Sequence, residues 1–151
     1  AVQGLSMAAQ IPVIALSNLA VACHSAIKRS TCHAAIACFH ARDKEVYFGA
    51  YAANTELGVV LVGAEQVAPI TKLNFDRRLA ATFKCWTGIG DAWSESVTLE
   101  KRLGLNVIES TLENELQIED LCALADLRWR AGDVLDPQHV QPNYIKEQLD
   151  Y

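Results

Sequence analysis

Apolar residues recur along this chain with two distinct periods. From Ala34 to Phe39 they run unbroken, and a charged turn, His40-Ala41-Arg42-Asp43-Lys44, follows. Glu45 to Tyr51 then alternates, with Val46, Phe48 and Ala50 on one face and Tyr47 and Tyr51 on the other. The pattern predicts a hairpin at the heart of a sheet. Its second strand is expected to reach Ala53, Asn54-Thr55-Glu56 to turn the chain, and Leu57–Val62 to form a third strand, giving three consecutive antiparallel strands.

Helical spacing dominates elsewhere. Val2, Leu5 and Ala9 share one stripe, with Gly4 and Ala8 four apart beside it, and Ile11-Pro12 ends that helix because the residue before proline disfavours the helical region. Pro12–Leu16 reads as a short buried strand. Ser17 offers a hydroxyl cap to a helix over about Asn18–Lys28, whose apolar stripe is Leu19, Ala22, Cys23 and Ala26. Pro69-Ile70-Thr71 leads into a weak helix around Lys72–Leu79. Phe83–Gly88 reads as a strand, followed by the turn Gly88-Ile89-Gly90-Asp91-Ala92-Trp93, a helix over Ser94–Leu103 and a short strand at Asn106–Ile108. The strongest helical pattern covers about Leu116–Arg130, with Gly132 as its left-handed stop, and the tail Val140–Ile145 reads as extended. Three strands followed by alternating helices and strands imply an α/β fold with a mixed sheet flanked by helices.

Composition narrows the function classes. The chain has 151 residues, 51% of them apolar, so one domain or one lobe with a sizeable core is expected. No apolar run approaches the roughly 18 residues of a membrane span. The first residues look like the inside of a helix rather than a targeting segment, and the chain reads as part of a longer protein. A net charge of −5, with no basic cluster denser than Asp76-Arg77-Arg78, argues against avid binding of a phosphate backbone. The five cysteines, Cys23, Cys32, Cys38, Cys85 and Cys122, lack the density of a disulfide scaffold and are expected to be buried, reduced thiols.

The candidate chemistry is thin. Cys23-His24, Cys32-His33 and Cys38-x-His40 hint at zinc, but no pair has the two-to-four-residue loop spacing of a structural site, and adjacent helical residues point about 100° apart. Cys32 is the one thiol outside a clearly apolar segment, and no oxyanion loop adjoins it. Gly88-Ile89-Gly90-Asp91 lacks both the third glycine of a dinucleotide loop and the Lys-Ser/Thr pair of a P-loop, so it reads as a tight strand-to-helix turn. Arg42, Asp43, Lys44 and Glu45 read as a solvated turn, or as one whose Arg42 and Glu45 anchor a structural network or a partner.

Five stretches in order carry a resemblance: Gln3-Gly4-Leu5, Ile11-Pro12-Val13-Ile14-Ala15-Leu16-Ser17, Ala41-Arg42-x-x-Glu45-Val46-Tyr47, Gly88-x-Gly90-x-x-Trp93 and Gln141-Pro142-x-Tyr144. With them the chain resembles the TsaB (YeaZ) family of the bacterial machinery that makes threonylcarbamoyladenosine in tRNA, a family also labelled glycoprotease-like. His40 stands where relatives commonly have Asp, and Lys146 where an Arg is common.

The resemblance implies an actin-like, sugar-kinase-like (ASKHA) fold. Residues 1–16 would be a remnant of the N-terminal lobe, 17–139 the C-terminal α/β lobe and 140–151 a shortened tail. It implies a cytoplasmic, non-catalytic subunit without metal or cofactor, paired with a TsaD-type subunit that performs the transfer. A TsaE-type nucleotide-binding protein would join them, self-association is a further family property, and tRNA would be met only indirectly. The helix holding Gly4, Leu5 and Ala8 would belong to the pairing surface. Arg42, Glu45, Tyr47, Gly88, Gly90, Trp93, Pro142 and Tyr144 would be structural signatures. The alternatives are a glycoprotease-type hydrolase or sugar-kinase-like phosphotransferase with its active residues in a preceding lobe, and a homodimeric binding module.

Overall fold

A computed structural model describes residues 1–113 and 115–141. Helix α1 (Val2–Ala9) leads through an extended segment into α2 (Asn18–Arg29). Strands β1 (Ala34–His40) and β2 (Val46–Asn54) form the expected hairpin, paired from Ala34↔Ala52 to His40↔Val46. Strands β3 (Gly58–Leu61) and β4 (Gln66–Ala68) follow. They line one edge of β2 in two pieces, β3 along Tyr51–Asn54 and β4 along Val46–Phe48. After a 3₁₀ turn at Ile70–Lys72 and the short α3 (Arg77–Ala80) come β5 (Trp86–Ile89), α4 (Ser96–Leu103), β6 (Val107–Thr111) and α5 (Ile118–Arg130).

The described strands form one mixed sheet in the order β3-β2-β1-β5-β6, with β4 beside β2. Strand β1 is the joint: it is antiparallel to β2 and parallel to β5, which is parallel to β6. The period-two pattern then decides the layers. Ile36, Cys38, Val46, Phe48 and Ala50 face a core closed by the 3₁₀ turn, α3 and α4. In that core Phe48, Phe75, Trp86 and Phe83 meet edge to face, with centroids 5.1–5.8 Å apart. The other face carries Ala35, Ala37 and Gly49, and these small residues let α2 lie close, with Leu19 against Gly49 and the Cys23 thiol donating to the Ala35 carbonyl at 3.5 Å. Helix α5 covers α2 and β3 through Leu124.

Several expectations need correction. Pro12–Leu16 is neither a strand nor buried: it makes a single bridge, Val13↔Leu135, pairs with no strand of the sheet, and is half-buried to exposed. The predicted 72–79 helix shrinks to Arg77–Ala80, since Leu73 and Phe75 turn inward and Asp76 caps only from that point, accepting from the Arg78 N–H at 2.8 Å. The strand expected from Phe83 begins at Trp86. Before it, Phe83 packs on the Trp86 ring and the Lys84 carbonyl accepts from the Asn106 side chain. The thiols are not all reduced either, because Cys32 and Cys85 form a disulfide across the starts of β1 and β5. Cys23 and Cys38 are buried and free as expected, whereas Cys122 is free but exposed.

Two features of the fold give measurable consequences. Asp43 and Lys44 both sit at positive φ, 60° and 61°, in a turn closed by the Glu45 N–H on the Arg42 carbonyl. A two-residue turn of this hand favours glycine at its second position. Lys44→Gly is therefore expected to raise unfolding free energy by about 1 kcal/mol in urea titration.

The second consequence comes from the α2–α5 interface. Burial, reinforced by the Lys28 charge and partly offset by Asp120, holds His24 below its ordinary value. Burial would raise Asp120, but hydrogen bonds from Lys28 and Ser25 outweigh it and hold the carboxyl low. A depressed histidine binds fewer protons folded than unfolded, so its contribution is present above the ordinary histidine value and is lost as pH falls below it. Unfolding free energy should therefore drop between pH 7.5 and 5.5, and less so in His24→Gln. An equal drop in both proteins would contradict the assignment to His24.

Candidate functional site

A cleft of about 750 Å³ opens where the N-terminus of α2 meets the end of β1 and the start of β2. Ser17 and Asn18 at the helix start, Phe39 and His40 of β1, Tyr47 of β2 and Glu65 from the β3–β4 connection line it. Ser17 caps α2 as its sequence position predicts, its Oγ accepting from the Leu19 N–H at 3.2 Å. The same hydroxyl donates to Glu65 Oε1, and the Tyr51 hydroxyl donates to that oxygen at 2.6 Å.

This carboxylate stands at the positive end of α2, where the helix dipole favours it. Burial, then the hydrogen bond and charge of Glu65, push the Tyr51 phenol well above the usual tyrosine range, so it stays a hydrogen-bond donor. Ser17 thus faces a carboxylate and a backbone N–H rather than an imidazole. Ser17 and Tyr51 together hold Glu65, an arrangement suited to fixing the β3–β4 connection on the helix start.

The second cluster is the Gly88-x-Gly90-x-x-Trp93 turn. A Cβ on Gly88 would fall 2.6 Å from the Trp93 ring, and one on Gly90, at φ 117°, would fall 2.1 Å from the Cys38 carbonyl oxygen. The two glycines let Trp93 lie across β5 and donate its indole N–H to the Ile36 carbonyl at 3.2 Å. Asp91 accepts from the His40 N–H at 2.8 Å, tying this turn to the end of β1. The turn is an architectural lock, its Gly90 N–H donating to the Thr111 carbonyl and its Trp93 backbone N–H to the Gly90 carbonyl.

The other predicted residues are spread around these clusters. Arg42 is exposed at the hairpin tip, and its guanidinium makes no ion pair or hydrogen bond with a described residue. Glu45 is half-buried and takes part in the turn through its backbone. Tyr47 is 44% exposed at the cleft wall. Pro142 and Tyr144 lie outside the described residues. Cys32 is 2% exposed and disulfide-bonded, an arrangement unlike the exposed, base-paired thiol of a Cys/His hydrolase. Among the described residues no three His, Cys, Asp or Glu side chains gather as a metal site, and no helix is long and apolar enough to cross a membrane.

Helix α1 stands apart from the sheet. Its Gln3 side chain donates to the Pro137 carbonyl at 2.9 Å, Ser6 is buried and bonds the Ile11 carbonyl, and the rest of the helix faces solvent. Leu5 is 72% exposed, Val2 and Met7 are exposed beside it, and nothing lies within 4 Å of a Cβ placed on Gly4. The sequence expectation put Gly4, Leu5 and Ala8 on a pairing surface, and all three are exposed on this helix. Glu65 was not singled out from sequence, since its partners Ser17 and Tyr51 are far from it along the chain and no motif spacing joins them.

No protein-family profile matches the chain. By sequence it is 24% identical over 147 residues to the tRNA threonylcarbamoyladenosine biosynthesis protein TsaB of Escherichia coli strain K12, covering 97% of this chain and 62% of that protein. By structure it is similar to a Pseudomonas aeruginosa protein of uncharacterised role, described as similar to the peptidase YeaZ, with a TM-score of 0.76 and 30% identity over 96% of this chain and 64% of that one. It is also similar to YeaZ of Pseudomonas aeruginosa, with a TM-score of 0.73 and 29% identity over 95% of this chain and 64% of the other. The chain spans under two thirds of the length of these relatives. The expected family resemblance and the α/β fold class are both borne out by these matches.

Tyr51→Phe removes one of the two hydroxyl donors to Glu65. Unfolding free energy should fall by about 2 kcal/mol, the usual scale for a hydrogen bond to a charged acceptor. A loss below about 0.5 kcal/mol in denaturant titration would mean that Glu65 does not depend on this bond.

Proposed function

We propose that this chain, kin to the TsaB and YeaZ proteins in sequence and fold over nearly its whole length, serves the formation of threonylcarbamoyladenosine in tRNA as a non-catalytic subunit. Its task is to hold a TsaD-type partner, which carries out the transfer, while a TsaE-type nucleotide-binding protein joins the pair. A cytoplasmic setting belongs to this reading, and tRNA is met through the partner. Residues 1–16 then act with the pairing lobe and residues 17–139 form the supporting lobe.

The observation that carries the reading is the outward face of α1. Val2, Leu5 and Met7 present apolar side chains to solvent around a glycine with open space before it. Small residues beside exposed apolar ones suit the close approach of another helix. The mutual bonding of Ser17, Glu65 and Tyr51 in the main cleft, and the occupied turn around Trp93, fit a supporting role better than turnover.

Leu5 is the residue on which to test the interface, because its exposure leaves the fold indifferent to a polar replacement. Leu5→Asp should weaken capture of a TsaD-type subunit by about 10- to 100-fold in titration calorimetry, the loss of one buried leucine contact. Its unfolding midpoint should match that of the parent chain. Unchanged affinity would remove α1 from the interface, and no association by the parent chain would remove the partner assignment for this chain.

A further inference from the structure

We infer that Cys32 and Cys85 form a reversible redox modification site whose reagents are low-molecular-weight thiols and disulfides of the glutathione class. The topology creates the site. Strands β1 and β5 are parallel neighbours paired at Ala35↔Thr87, and the two cysteines lie just ahead of those residues on the same end of the sheet. Their Cα atoms are 5.7 Å apart, inside the range that a disulfide spans without backbone movement. Their separation along the sequence is 53 residues, so folding alone brings the two thiols together.

The pairing is selective. Cys23 and Cys38 are sealed inside the two cores, where burial pushes the Cys38 thiol up to about 12 and the Cys23 thiol higher still. Cys122 is exposed on α5 and stays a free thiol while Cys32 and Cys85 are joined. Access to the pair is asymmetric, because Cys32 is buried whereas Cys85 is half-buried beside exposed Lys84. Cys85 is thus the more accessible residue of the pair, and the attack is assigned to its sulfur.

In reduction, a glutathione thiolate attacks Cys85 Sγ and forms a new S–S bond. The Cys32–Cys85 bond breaks, and its electron pair leaves on Cys32, which takes a proton from water. A second glutathione thiolate attacks the glutathione sulfur of the mixed disulfide, releasing glutathione disulfide and the Cys85 thiolate, which is then protonated. Oxidation is the reverse, with one glutathione disulfide reduced to two glutathiones.

The bond closes a loop that holds β1 to β4, the Ile70–Lys72 turn and α3, so breaking it returns conformational freedom to the unfolded chain. The folded structure keeps its sheet ladder, and the change is read as stability.

The full chain equilibrated with glutathione disulfide, then alkylated under denaturing conditions, should protect two of its five cysteines. Peptide mass spectrometry should find them as a Cys32–Cys85 cross-link. Dithiothreitol should expose all five and lower the thermal midpoint by about 10 °C, whereas the midpoint of Cys85→Ser should not respond to reduction. The inference is overturned by alkylation of all five after oxidation, by a link through another cysteine, by glutathione on Cys85 without the cross-link, or by equal midpoints for the oxidised and reduced parent chain.

Discussion

The Trp93 indole, laid across Gly88 and bonded to the Ile36 carbonyl, is the contact on which the arrangement of this molecule depends. It joins the strand that bears Gly88, the turn that follows and the central strand in one interaction. Asp91 in the same turn holds the end of β1 through the His40 N–H, so the hairpin cannot tilt without disturbing the parallel half of the sheet. A side chain at either glycine would collide with this contact, one with the indole and the other with the Cys38 carbonyl. The motif, read from sequence as a tight strand-to-helix turn, is therefore also a packing joint.

The hairpin was legible because two local signals agreed: an alternating apolar pattern and a short charged turn. Helices α2 and α5 were legible for the same reason, each carrying a sustained apolar stripe and one end signal, the Ser17 cap for α2 and the Gly132 stop for α5. Two failures concern where strands form. Pro12–Leu16 has the composition of a buried strand, yet strands exist only where an edge is available, and availability is a property of the whole sheet. Strand β4 is the converse: three residues with little pattern of their own become a strand because β2 leaves that stretch of edge unpaired.

The same reasoning divides the functional residues. Gly88, Gly90 and Trp93 were visible as a spaced motif, and their spacing was physical. The Ser17–Glu65–Tyr51 cluster and the Cys32–Cys85 bridge were invisible, because each joins residues that only the parallel pairing or the strand order brings together. Five cysteines without known topology offer no basis for choosing a pair. Arg42 marks the opposite limit: its sequence context is distinctive, while its side chain finds no described partner within the chain.

The double allegiance of β1, antiparallel to one neighbour and parallel to the other, also orders events in time. Closing the tight β1–β2 turn brings together residues near in sequence and is fast, whereas seating β5 against β1 must wait until the intervening arm has collapsed. In that order of events the first piece to form would be a three-stranded antiparallel one, its far edge, the future seat of β5, still bare. That edge carries the backbone groups of Ala35, Ile36 and Ala37, an uncharged stretch. Crowded synthesis would expose it to edge-to-edge association with other copies, so the most sequence-distant pairing within the sheet is also the step most in need of shelter.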